Sequence, residues 1–305
     1  MTRTVVPQRL LLSLGILLLI VSAILLFRSV NTYALDENKC LSCHGNPDFS
    51  KTTATGEKIS LYVNEAAVNT AAHRYIDCTT CHTTEPHKVD TPLTKLSLAQ
   101  KCGTCHQYEY KVHLGSVHGK QLAQGNSDVA TCTDCHSATG NPHNVIRVLE
   151  YDSPAFKKSI ADTCAKCHAN EGLMADYGKV EDVYETYMRS FHGKATLLAN
   201  NELEQLNKAT CTSCHGVHDI KSPAEPTSPV AGMENLAKTC EKCHAGAGVQ
   251  FASGFLGHRE ASPQNVPPVH YTERLFTTLL SIVVAGGALV VLLAIMRYSA
   301  NRWKG

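Results

Sequence analysis

The chain has 305 residues, a formal net charge of +1 and 18% charged residues. That near-neutral balance excludes a basic nucleic-acid-binding face and an acidic tail as organising features. The unusual counts are 14 Cys and 16 His, which admit a disulfide framework, zinc knuckles or covalently held haem.

The first element is an uncharged run, Leu10–Phe27, bounded by Arg9 and Arg28. It is long enough to cross a bilayer as a helix. A cleaved signal peptide competes with this reading, because Thr32-Tyr33-Ala34 resembles a small-residue processing site. The apolar stretch exceeds a usual signal core, which favours a retained anchor over residues 1–35.

From residue 36 onward one pattern recurs seven times. It appears as Cys40-Leu-Ser-Cys43-His44, Cys78-Thr-Thr-Cys81-His82, Cys102-Gly-Thr-Cys105-His106 and Cys132-Thr-Asp-Cys135-His136. It returns as Cys164-Ala-Lys-Cys167-His168, Cys211-Thr-Ser-Cys214-His215 and Cys240-Glu-Lys-Cys243-His244, and no cysteine lies outside it. Two thiols with a two-residue gap match the two vinyl groups of a haem, and the adjacent His is placed to bind the iron. A disulfide framework explains an even Cys count but not a His after every second Cys. Zinc knuckles explain the pairs but do not require that His. The spacing therefore implies seven haem c, with His44, His82, His106, His136, His168, His215 and His244 as proximal ligands.

Residues 36–270 would form one outer haem domain. About 34 residues per haem is too little chain for an ordinary apolar core, so porphyrin must supply most of the buried surface. The predicted elements are short helices at the motifs, long connections and very little sheet. Gly56-Glu57-Lys58 between Lys51-Thr52-Thr53 and Ile59–Val63 reads as one small hairpin. Ser222–Pro229 is a Pro-rich surface loop.

The domain also repeats internally. Leu98-Ala-Gln-Lys-Cys102, Ile160-Ala-Asp-Thr-Cys164 and Leu236-Ala-Lys-Thr-Cys240 share a helical lead, with Leu35–Cys40 a looser version. Each is followed by an isolated His: His73, His118, His192 or His258. A second kind of motif comes next, trailed closely by His87, His143 or His218. These seven repeat positions match seven irons and are the candidate distal ligands. His113 aligns with Tyr187 of the next repeat and is not needed as a ligand. His218 lies three residues after His215, a span of at most ~10 Å that cannot pass round a porphyrin edge, so it would serve a neighbouring haem. The same argument extends, less forcefully, to His87 and His143.

The last element is a second uncharged run, Leu275–Met296, between Arg274 and Arg297. A buried core helix of this length would show a polar face, so 271–305 reads as a transmembrane helix with a short tail. Arg3 and Arg9 precede the first run, and Arg297, Arg302 and Lys304 follow the second. The positive-inside rule puts both termini in the cytoplasm and the haem domain on the outer, periplasmic side of the cytoplasmic membrane. Neither run contains His, so a b-type haem held in the bilayer by this chain alone is not expected.

At these residues the sequence resembles the multihaem c-type cytochrome superfamily. Ser116-Val-His118-Gly119, Ser190-Phe-His192-Gly193 and Cys211–Ile220 are similar to segments of octahaem reductases and of haem subunits in quinone-linked membrane complexes. Gly56–Val63 leading to His73 looks like the opening haem unit of many such proteins. The resemblance covers about 36–270 and implies a mostly α and irregular fold built around stacked haems, bis-His low-spin irons and electron transfer. Small membrane-anchored quinol dehydrogenases differ in carrying fewer haems and a single N-terminal anchor.

These readings favour an electron-transfer subunit over a catalytic one. Its partners would be the membrane, a b-type cytochrome or other membrane subunit or quinone, and an extracytoplasmic electron carrier. The alternative is a reductase or oxidase of a small nitrogen or sulfur compound, which needs an iron with an open position. The histidines suffice to saturate every iron, and no motif ends in Lys.

Overall fold

The computed structural model describes residues 22, 38–53, 56–82, 87, 94–178, 182–255, 257–264 and 266–302. Apart from Ser22, the first apolar run lies outside these residues. The chain divides into two compact units, 1–156 and 157–305. The sequence reading treats 36–270 as a single domain, and the break falls inside it.

In the first unit α1 (Asn38–His44) leads into a hairpin, β1 (Ser50–Thr52) against β2 (Lys58–Ser60), paired antiparallel with Lys51 opposite Ile59. Gly56 takes φ +86° in its turn, a left-handed conformation that glycine adopts without steric cost. This is the hairpin foreseen from the sequence. There follow α2 (Glu65–Thr70), α3 (Cys78–Cys81), α4 (Lys95–Gly103), α5 (Gln107–Leu114), α6 (Val117–Ala123), α7 (Cys132–His136) and a 3-10 turn, Pro142–Asn144.

The second unit contains α8 (Ile160–His168), α9 (Glu171–Asp176), α10 (Val183–Arg189), α11 (Phe191–Leu197), α12 (Glu202–Leu206) and α13 (Cys211–His215). It closes with α14 (Gly232–Glu241), α15 (Val249–Ser253) and the long α16 (Pro267–Arg302). Pro267 and Pro268 open α16, where a proline costs no intrahelical hydrogen bond and its fixed φ suits the first turn.

Six of the short helices open on a side-chain cap. Asn64, Thr94, Ser116, Asn170, Ser190 and Asn201 accept a hydrogen bond from a first-turn N–H through their side chains, satisfying donors that a helix start leaves open. Little apolar mass holds these helices together. Among the described residues, the buried hydrophobics are Leu122, Phe156, Met174 and Leu236, plus six alanines. Leu236, Ala237 and Ala252 make the one buried cluster of the second unit that joins two helices, α14 and α15.

Both units contain the same packing device, as the internal repeat requires. Lys95 Nζ donates to Val129 O at 3.1 Å, and Lys157 Nζ donates to Lys208 O at 3.1 Å. His113 Nε2 donates to Ala130 O at 3.3 Å, and at the aligned position Tyr187 OH donates to Ala209 O at 2.9 Å. In each unit a basic and a ring side chain thus pin the two residues that precede Thr131 or Thr210. Those threonines open the next motif with reciprocal capping boxes, to Asp134 and Ser213.

The Ser-x-His-Gly segments follow from the same geometry. Ser116 and Ser190 accept from the N–H of Gly119 and Gly193 at 3.0 and 3.2 Å. A Cβ on Gly119 would lie 2.0 Å from His113 O, and one on Gly193 would lie 2.2 Å from Tyr187 O. Only glycine lets α6 and α11 pack so closely on the preceding helix end. That contact sets the direction in which His118 and His192 leave the backbone.

Candidate haem centres

Every motif forms one α-turn. His82 N donates to Cys78 O at 2.8 Å, His106 N to Cys102 O at 2.9 Å and His244 N to Cys240 O at 2.9 Å. The other four motifs lie within α1, α7, α8 and α13. Residues three and four apart share a helix face, so each turn presents two thiols and an imidazole to one side. The 14 cysteines form no disulfides with one another, and each is exposed or half-buried. No group of three His, Cys, Asp or Glu side chains converges as a metal cluster among the described residues. Histidines come together in pairs instead.

The pairs join a motif His to an isolated His. His44 faces His87 with ring centres 6.5 Å apart, His106 faces His73 at 6.1 Å and His82 faces His143 at 5.8 Å. In the second unit His244 faces His192 at 6.2 Å and His215 faces His258 at 6.1 Å. An imidazole–metal bond is ~2 Å, and adding ~1 Å from nitrogen to ring centre on each side puts two axial imidazoles about 6 Å apart. The observed separations therefore fit an iron between the rings. His118, His136, His168 and His218 each make contacts of their own.

Hydrogen bonds orient the rings. His44 Nδ1 lies 2.7 Å from Leu61 O, directly after β2, so it donates there and leaves Nε2 as the nitrogen that could coordinate. His258 Nδ1 lies 3.3 Å from Thr186 Oγ1 and also bonds the Val183 backbone. Burial holds His73, His143, His192 and His215 below the ordinary imidazole range, and the facing ring adds to the effect. Burial also lowers His82, helped by Lys101 and His44, and it lowers His168 and His258. The neutral imidazole so favoured is the form that binds a metal.

Thiols of successive motifs meet. Hydrogen bonding between Cys102 and Cys132 pushes the first thiol up and draws the second down to about 7. Cys164 and Cys211 are linked in the same way, and the Cys164 bond draws Cys211 down. The first cysteine of one motif thus touches the first cysteine of the next in both units. No spacing rule within a motif reports this contact. The sequence signal for it is the repeat, which aligns Cys102 with Cys164 and Cys132 with Cys211.

Two comparisons bear on the chain. The family described as "Doubled CXXCH motif" matches residues 115–173, spanning the fourth and fifth motifs. The "Multiheme cytochrome MtrA" of Shewanella baltica (strain OS185) is 33% identical over 97 residues, which is 32% of this chain and 25% of that protein. The chain thus aligns with about a quarter of the length of that relative. No solved structure matches. With the motif geometry, these matches support a multihaem c-type cytochrome that transfers electrons through c-type haems.

Proposed function

We propose that the chain is a membrane-anchored electron conduit carrying seven haem c, each iron held between two histidines. The observation that carries this reading is the set of five facing imidazole pairs, in which every isolated His comes from a different segment than the motif it faces. In this reading His87, His143 and His73 serve the irons of His44, His82 and His106, and His192 and His258 serve those of His244 and His215. The remaining repeat positions then assign themselves within each unit: His118 to the iron of His136, and His218 to that of His168. The group so held supplies a reversible one-electron iron couple. The chain's own residues fix ring tautomers, exclude water and set the spacing between irons. The Cys102–Cys132 and Cys164–Cys211 contacts would make the attachment edges of successive haems neighbours, which suits hopping along a chain.

Membrane attachment is supported by α16, which is long and apolar enough to cross a bilayer and is entirely unburied in its apolar window. Arg297 and Arg302, with Lys304 after them in sequence, favour an outer-face position for the haem units by the positive-inside rule. The conduit would pass electrons between a membrane donor, a quinol or a b-type subunit, and a carrier outside.

The test is mass spectrometry with electron paramagnetic resonance on the purified native protein. Seven haem adducts surviving acid–acetone extraction and no stoichiometric high-spin ferric signal are expected. A full equivalent of high-spin iron would replace the conduit with a reductase or oxidase that has an open coordination position.

A further inference from the structure

The second unit holds a groove of about 640 Å³ where α16 begins. Ser190, Phe191 and Lys194 form one wall, and Pro268, Val269 and Glu273 form the other. Three features mark it as a ligand site. Its second wall is the start of the helix that continues as the apolar span, so a molecule dissolved in lipid meets the groove at the end of the hydrocarbon layer. Its lining joins a bare aromatic face to charged groups: Phe191 is 93% exposed and Val269 is 46% exposed, while Lys194 and Arg189 offer cationic donors and Glu273 a carboxylate. Finally, Phe191 immediately precedes His192, whose ring faces His244 at 6.2 Å. One residue along a helix turns the side chain by roughly 100°. A flat molecule on Phe191 would therefore lie beside the helix that carries an iron ligand, on a different face from that ligand.

We propose that this groove binds the aromatic headgroup of a lipid-soluble quinol and that Glu273 takes up its protons. This deepens the conduit reading and rests on it. Oxidation breaks the two O–H bonds of the quinol and leaves the quinone. The two electrons would pass singly to a ferric haem, first to the one that His244 and His192 would hold. The two protons leave through the Glu273 carboxylate to water outside. Lys194 hydrogen-bonds the ring oxygen at the opposite end, and Phe191 stacks on the ring. The two polar residues near the start of α16, His270 and Glu273, take different roles. His270 Nδ1 lies 3.0 Å from Ala261 O and fastens the head of α16 to the preceding loop, whereas Glu273 lines the groove.

The test uses full-length holoprotein in lipid nanodiscs. Binding of a hydroxyquinoline N-oxide is followed by fluorescence quenching, and haem reduction by a short-chain quinol is followed by absorbance. Val269→Trp fills the groove and should weaken analogue binding by about tenfold or more, while dithionite still reduces every haem. Glu273→Gln should leave the analogue bound and slow quinol-driven reduction by roughly a hundredfold. In the unaltered protein a photoreactive azidoquinone should label the peptides around Phe191 or Pro268–Glu273, a readout that needs no variant to fold. Labelling elsewhere, or analogue binding and reduction rates unchanged in Val269→Trp, would overturn the groove and leave the conduit standing. If the unaltered protein accepts electrons from a soluble dye but neither binds the analogue nor oxidises quinol, the quinol donor falls, and the groove proposal with it.

Discussion

Replacing His258 with Ala removes the ring that faces His215 at 6.1 Å, so one haem should become high-spin or show a shifted Soret band. His113→Ala removes a different kind of bond, from Nε2 to Ala130 O. It should leave the spectrum unchanged and cost about 1 kcal/mol of stability, read as a lower thermal transition. His113→Tyr should recover part of that loss, because Tyr187 makes the equivalent bond to Ala209 O. The contrast between these two histidines is readable in the sequence, since the repeat sets His113 against a tyrosine and His258 against other isolated histidines. Which motif each isolated His faces is not readable there. His87 lies five residues after His82 yet faces His44, a choice made by how segments pack and not by local spacing.

At the scale of elements, the motif turns were the legible part. Attaching a haem needs two thiols and an imidazole within five consecutive residues, so the chemistry is written contiguously. The hairpin was also legible, from Gly56 and its flanking β-formers. The start of α16 was not: Pro267-Pro268 suits both a stiff tether and a helix N-terminus, and only the backbone decides between them. The break at 156/157 left no composition signal either, because both units use the same repeat. The apolar span of α16 packs on neither unit. Its apolar window is wholly unburied, so no core contact of that span is lost on removing it. Ending the chain at Val266 should leave the haem spectrum intact, as absorbance would show, and fractionation then decides between the two readings of the first run: release to the soluble fraction means that it is cleaved as a signal. Retention in the membrane would point instead to the Leu10–Phe27 run as a second anchor.

Across the whole molecule, the ten buried hydrophobic side chains among the described residues include six alanines. Burying an alanine methyl yields only about 0.8 kcal/mol, against roughly 1–2 kcal/mol of backbone entropy for each residue ordered. Capping bonds and the lysine and ring pins give local shape but do not reverse that balance. Large apolar side chains meanwhile stay open at the surface, among them Tyr75, Tyr108, Leu149 and Leu198, and porphyrin is the natural partner for such area. Haem attachment is therefore expected to drive folding. The consequence concerns biogenesis. Chains made faster than haem is delivered should be protease-sensitive and cleared, so the level of this protein in the cell would follow haem supply more closely than message abundance. Pulse-labelling during haem limitation would show it as a short-lived polypeptide with no stable apo pool, and a long-lived apo form would mean that the protein scaffold folds unaided.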